Sequence, residues 1–84
     1  GKSLPSINMA KSDLEKGISI LDLLNLNKIV SSKSEARRAI QGKGIRINDK
    51  TISDEKIIIN MNSFKEKTMK VSYGKKKHFL IKIN

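Results

Sequence analysis

The chain has 84 residues and a formal charge of +10, which limits it to one domain that buries only about 60% of its unfolded surface and leaves no room for a nucleotide-binding fold beside a catalytic cleft. It has no Cys and a single His, so disulfides, thiolate nucleophiles and Cys- or His-rich metal sites are excluded. No apolar run approaches the ~20 residues that span a membrane and no signal peptide opens the chain, so a small, basic, cytoplasmic module with no membrane partner is expected.

Residues 1–17 read as an extended lead-in or linker, and residues 18–84 as the domain proper. Leu4, Ile7 and Met9 are spaced by small or polar residues, and Pro5 blocks a helix around it. Gly1 reads as a remnant of tag cleavage, and the lack of an initiator Met suggests an excised domain. Ser19 then predicts a helix start, with Asp22 completing a capping box and Ile20, Leu23 and Leu24 sharing one apolar face. A second helix is expected from Ser32, with Glu35 as its reciprocal cap and Ala36, Ala39 and Ile40 as a narrow inward face. Gly42 is expected to end it in the left-handed conformation.

Strand signals follow. Ile45 and Ile47 flank an outward Arg46, Asn48-Asp49 makes a turn, and Thr51-Ile52 returns, which predicts a hairpin over 45–52. Ile57-Ile58-Ile59, a short, fully apolar run, reads as a buried strand. Met69 and Val71 alternate with Lys70 and Ser72, and beyond a turn at Gly74-Lys75 the residues Phe79, Ile81 and Ile83 alternate with Leu80 and Lys82, which predicts a second hairpin. The expected fold class is α+β: two short helices followed by a small, mostly antiparallel sheet with two hairpins.

The positive charge is unevenly placed. Residues 33–50 carry +4 and residues 65–77 carry +5, whereas residues 51–64 are slightly acidic. A solvated surface with no partner has no reason to concentrate charge in this way, and an excess of this size is the electrostatic footprint of a nucleic-acid binder. Aromatic residues are scarce (Phe64, Tyr73 and Phe79), which disfavours single-strand binding on stacking platforms and favours contact with the phosphates and shape of folded RNA.

Within the first block, Lys33, Ser34, Arg37 and Arg38 stand together on the second helix. Guanidinium forks, an ammonium and a hydroxyl near a helix N-terminus suit phosphate oxygens. Arg37 and Arg38 have no acidic residue at i±4, hence no evident partner within the helix. Lys43 lies between Gly42 and Gly44, a stretch that could bring backbone close to a phosphate but reads more simply as a helix stop and strand start; it is no P-loop. Arg46 projects from the first hairpin. In the second block, Lys70 lies on a strand, and Lys75, Lys76 and Lys77 crowd a turn where like charges repel unless an anion offsets them. His78 reads as a strand surface residue, and Tyr73 as a residue packed on its own hairpin. No catalytic constellation and no metal site emerge, and the carboxylates are scattered.

The stretch from Ser31-Ser32-Lys33-Ser34-Glu35-Ala36-Arg37-Arg38 into Gly42-Lys43-Gly44-Ile45-Arg46-Ile47-Asn48 resembles the alpha-L RNA-binding motif of the ribosomal small-subunit protein four superfamily. The lead-in, Ile18-Ser19-Ile20-Leu21-Asp22-Leu23-Leu24 and the closing Gly74-Lys75-Lys76-Lys77-His78-Phe79 make most of residues 4–84 similar to the C-terminal domain of bacterial tyrosyl-tRNA synthetases. The resemblance implies a non-catalytic domain that grips tRNA-Tyr near its long variable arm and anticodon stem and orients it for an absent catalytic domain. ATP and Mg would belong to that catalytic domain only. The parent enzyme would be a homodimer through its catalytic domain, and this fragment a monomer without a cofactor. Arg37, Lys75 and Lys76 are the contacts the resemblance points to first. Family members often carry basic residues where this chain has Ser34, Ser72 and Tyr73, so the grip would lean more on Lys33, Arg38, Lys70 and Lys77. A glycine usual in the first hairpin turn is Asp49 here. Two alternatives remain: a free-standing member of the superfamily acting on ribosomal RNA, and a cationic module that recognises an acidic protein or lipid.

Overall fold

The computed structural model describes residues 4–84; Gly1 and the reading of it as a cleavage remnant lie outside them. Pro5, which has no N–H to give a sheet, stands just before strand β1 (Ser6–Met9), and its carbonyl accepts the Leu80 N–H at 2.9 Å. Helix α1 (Lys11–Lys16) follows. Among the described residues of the expected lead-in, Ser6–Met9 is therefore extended and Lys11–Lys16 is helical. Helix α1 is anchored by one residue, Leu14, which is completely buried. Six residues with one apolar anchor have no periodicity to read and are marginal as an isolated helix, so tertiary packing decides this element. At Gly17 the backbone takes φ +84°, and a Cβ there would stand 2.8 Å from the Ile58 Cγ2. Glycine is the residue that fits both the conformation and the contact.

Strand β2 (Ile18–Ser19) leads into α2 (Ile20–Leu26). Ser19 caps α2 as expected, its Oγ accepting from the Asp22 N–H at 3.1 Å. Ile20, Leu23 and Leu24 are fully buried. The Asn27 side chain closes the far end by donating to the Leu23 carbonyl at 2.9 Å. Ile29 and Val30, both buried, carry the chain to α3 (Lys33–Gln41), which packs against α2 and buries Ala36 and Ile40. Ser32 caps α3 by accepting from the Glu35 N–H at 3.0 Å.

Two details of these caps differ from expectation. The Glu35 carboxylate reaches Ser31, one residue further back than a reciprocal cap would, and takes both its N–H (2.9 Å) and its hydroxyl (2.6 Å). Asp22 turns its carboxylate to Lys33. At the far end Gly42 is not left-handed: its φ is −83°, and Lys43 takes the left-handed position at φ 59°. The helix simply runs one residue further than the glycine suggested. The N–H groups of Lys43 and Gly44 fold back on the carbonyls of Ile40 (2.9 Å) and Ala39 (2.8 Å), a Schellman closure with Lys43 at its reversing residue.

Strands β3 (Ile45–Ile47) and β4 (Lys50–Thr51) form the first hairpin. Asn48 and Asp49 both have positive φ (50° and 70°), the geometry of a type I′ turn, so Asp49 keeps the turn without the glycine. Strand β5 (Ile58–Ile59) pairs antiparallel with β2. It is not fully buried: Ile59 faces the core while Ile58 is 59% exposed, because the side chains of a strand covered on one face alternate. A 3-10 turn (Met61–Ser63) precedes β6 (Thr68–Tyr73) and β7 (Lys77–Ile83), the second expected hairpin. Another tight turn opens β6, with Glu66 and Lys67 at φ 51° and 66°. No Gly, Asn or Asp marks it in the sequence.

The main sheet has the order β1-β7-β6-β3-β4 and is antiparallel except where β1 runs beside β7. The fold is thus α+β with a mostly antiparallel sheet and both hairpins, and the described residues form three α-helices rather than two. The core joins α1, α2 and α3 to one sheet face through Leu14, Leu23, Ile40, Ile45, Val71 and Ile81, all with no exposure.

Candidate nucleic-acid interface

Helix α3 presents Lys33, Ser34, Arg37 and Arg38 to solvent, as its amphipathic pattern requires. They differ in their partners. Lys33 lies 2.6 Å from an Asp22 carboxylate oxygen. Arg37 bonds Glu55, on the loop between β4 and β5, through its Nε. The expectation that Arg37 lacks a partner holds within the helix and fails across the fold, since loop closure brings Glu55 from 18 residues away. Arg38 has no acid within ion-pair distance among the described residues. The Lys33 ammonium, with help from the Ser19 hydroxyl, holds the Asp22 carboxyl below the usual carboxylate range.

Beyond α3, the simpler reading of Gly42-Lys43-Gly44 prevails. All three N–H groups are bonded to α3 carbonyls, so none is free to cradle a phosphate. Lys43 itself is exposed. The Gly44 carbonyl accepts the Gly74 N–H at 2.8 Å, which ties this loop to the tip of the second hairpin. Arg46 braces the same tip, donating from Nη2 to the Gly74 carbonyl at 3.0 Å. Lys70 lies 3.1 Å from Asp49. By alternation along β6 it occupies the sheet face opposite Tyr73.

At the tip, Lys75 and Lys76 are exposed and have no acid within ion-pair distance among the described residues. The Lys77 Nζ stands 5.6 Å from the centroid of the Tyr73 ring, a cation–π arrangement. His78 packs into the hairpin it follows: Nδ1 is 2.9 Å from the buried Ser72 hydroxyl and Nε2 is 3.1 Å from the Lys75 carbonyl. Ser72 and Tyr73 therefore both do structural work in this fold.

Tyr73 joins the two basic blocks. Its hydroxyl donates to Glu35 Oε2 at 2.8 Å, linking the first turn of α3 to the end of β6 across 38 residues of sequence. The two bonds from Ser31, followed by the one from Tyr73, hold the Glu35 carboxyl down to about 2. The same carboxylate, together with partial burial, pushes the Tyr73 hydroxyl up. Lys77 and Arg38 are both close enough for their charges to act on this pair. Arg38, the Gly44 loop and the Lys75–Lys77 tip thus gather around Tyr73 and Gly74, while Arg46, opposite Ser72 on the other sheet face, reaches the tip through the Gly74 carbonyl. Lys33 and Arg37 lean towards acids on α2 and the β4–β5 loop, and Lys70 stands on the other sheet face.

Sequence reasoning missed Tyr73 and Glu35 as a pair, and the acids Asp22, Glu55 and Asp49 as partners of cations. No local pattern signals contacts between residues so far apart. Among the described residues no group of three His, Cys, Asp or Glu is placed to hold a metal ion. No helix among the described residues is long and apolar enough to cross a membrane.

The family model described as "Tyrosine--tRNA ligase SYY-like C-terminal domain" matches residues 2–81. The tyrosine–tRNA ligase of Pelagibacter ubique is 49% identical over 83 residues, covering 99% of this chain and 20% of that protein. The tyrosine–tRNA ligases of Bartonella quintana and Rickettsia africae are 47% and 42% identical, each over 98% of this chain and 20% of the relative. The chain therefore spans about a fifth of the length of the curated relatives it matches. A family model matched along nearly the whole chain, with these identities, places it in the family of tyrosine–tRNA ligase C-terminal domains.

Proposed function

We propose that this chain binds tRNA-Tyr and orients it for aminoacylation by the catalytic part of a tyrosine–tRNA ligase. The observation that carries this reading is that Arg38, Lys75 and Lys76, none with an acid within ion-pair distance among the described residues, stand on two elements that Tyr73 and Glu35 fasten together. Arg38 and the hairpin lysines meet phosphates directly, with Lys43 and Lys77 at their flanks and Ser34 offering a hydroxyl. Lys33, Arg37 and Lys70 bind by exchanging or sharing a carboxylate. Exposed ion pairs contribute only about 0–1 kcal/mol, so a phosphate displaces them at little cost. Arg37 bonds Glu55 through Nε, which leaves its two Nη groups for a phosphate fork. Arg46 acts mainly as the brace of the tip. The surface engaged is the region of the long variable arm and anticodon stem.

The ATP and Mg chemistry of the reaction belongs to the parent's catalytic domain, which also makes the homodimer; this portion is a cytoplasmic monomeric unit that contributes RNA grip and no catalytic group. Filter binding with tRNA, ribosomal RNA fragments and anionic liposomes tests the reading. Arg38→Ala, Arg37→Ala and the Lys75→Ala/Lys76→Ala pair are each expected to weaken tRNA binding. Each lost phosphate contact should flatten the dependence of log K on log salt by roughly 0.7–0.9. Preference for ribosomal RNA or liposomes over tRNA, or tRNA affinity unchanged in all three variants, refutes it.

A further inference from the structure

Arg38 and Lys75–Lys76 sit on two elements remote in sequence, α3 and the tip of the second hairpin. The Gly74 N–H reaches Gly44 and Arg46 reaches the Gly74 carbonyl, so these bonds tie the tip to a loop and to β3. The Tyr73 hydroxyl is different, because it reaches α3 itself. Its acceptor is fixed from behind by the Ser31 N–H and hydroxyl, so the carboxylate has little freedom to follow a moving tyrosine. The ring is held in turn: Lys77 lies over its face, and the backbone of Gly44 passes close enough that a Cβ there would be 4.0 Å from the Tyr73 Cε1. Tyr73 also immediately precedes Gly74 and the lysine tip, so tilting the ring moves the tip.

We propose that Tyr73 and Glu35 are positioning residues for RNA binding: their hydrogen bond locks the lysine tip to the start of α3, so that Arg38 and Lys75–Lys76 meet RNA as one rigid surface. This rests on the RNA-binding reading above. The physical gain is the ordering cost avoided when a partner engages both elements at once. Neither residue touches RNA in this scheme, so the interlock is separable from the grip.

The test is Tyr73→Phe, which keeps the ring and removes only the hydroxyl, with Glu35→Gln as a second variant that breaks the same interlock from the acceptor side. The chain has no native Cys, so Ser34→Cys and Lys76→Cys take spin labels cleanly, and pulsed electron resonance reads the helix-to-tip distance without RNA. Tyr73→Phe is expected to broaden that distribution and to raise the Kd for tRNA threefold or more with the salt slope unchanged, since no cation is lost. Glu35→Gln, whose single amide oxygen cannot accept from both Ser31 and Tyr73, should broaden the distribution and weaken tRNA binding in the same direction, again with the salt slope unchanged. An unbroadened distribution in Tyr73→Phe overturns the interlock, and a broadened one with unchanged tRNA affinity overturns its role in binding. A wild-type chain that ignores tRNA would sink the parent reading instead, while the label distances still decide the interlock.

Discussion

Lys43 is a place where stability and binding are expected to oppose one another. It holds the left-handed position that ends α3, at φ 59°. A non-glycine residue there costs roughly 1–2 kcal/mol from crowding of its Cβ against the following carbonyl. Replacement by Gly removes that cost, and raises the entropy of the unfolded chain by an amount worth about 0.4–1 kcal/mol. The net expectation for Lys43→Gly is a gain of about 0.5–1 kcal/mol. For a chain of 84 residues that corresponds to a rise in melting temperature of roughly 2–8 °C. The Schellman bonds run through backbone groups and survive the change. The same substitution deletes an exposed cation, so tRNA affinity should fall and the salt slope flatten by up to about 0.9. Lys43→Arg separates the two effects: it keeps charge and strain, and should leave both readouts near wild type. Thermal melts by circular dichroism and filter binding at several salt concentrations measure them. A Lys43→Gly chain that melts below wild type would refute the conformational argument, because it would mean that the lysine side chain stabilises this turn more than its backbone strains it.

Two further outcomes follow from packing and titration. Leu14→Ala removes the single anchor of α1 from a fully buried site and should cost about 2–5 kcal/mol, enough to leave so small a domain substantially unfolded at 37 °C; a urea midpoint within experimental error of wild type would show that α1 is dispensable. Glu35 titrates far below its ordinary value in the folded chain, at about 2. The unfolded chain therefore binds the proton more readily, and stability rises with pH across this interval. The contribution of Glu35 is complete above about 4.5 and is lost as pH falls towards 2. Urea midpoints between pH 6 and pH 2 should decline for wild type and decline less for Glu35→Gln; parallel curves would contradict the assignment.

How much of this was legible in the sequence depended on the range of the interaction. Ser19 and Ser32 cap their helices as read, since a cap is decided within three residues. Ile20, Leu23 and Leu24 are buried as their spacing required. Both hairpins were readable from alternation and from turn residues. Helix α1 was not, because its one anchor, Leu14, has meaning only once the sheet and α2 are there to receive it. Ile58 was misread because three consecutive isoleucines suggest burial on both faces, whereas β5 has a covered face and an open one. The left-handed position moved from Gly42 to Lys43 because the exact end of a helix is settled by its terminal hydrogen bonds, which composition only biases. The candidate site shows the same division: the cations could be named from sequence, while the acids that hold some of them could not.

That division changes the meaning of the net charge. The excess of +10 treats every lysine and arginine alike, but the fold sorts them. Lys33, Arg37 and Lys70 each face a carboxylate and act locally as near-neutral pairs until a stronger anion competes. Arg38, Lys75 and Lys76 face none among the described residues, so their field extends into solvent and falls off over about 8–10 Å at physiological salt. On the proposed reading, long-range attraction of RNA draws on Arg38 and the hairpin tip together with the other lysines that face no carboxylate among the described residues, Lys43 and Lys50 included. The paired cations matter only at contact, where the geometry of a phosphate decides whether it can replace a carboxylate. On the proposed reading the unpaired cations attract a polyanion and the paired ones discriminate at contact, and the Tyr73–Glu35 bond ties together the helix and the tip that share the first task.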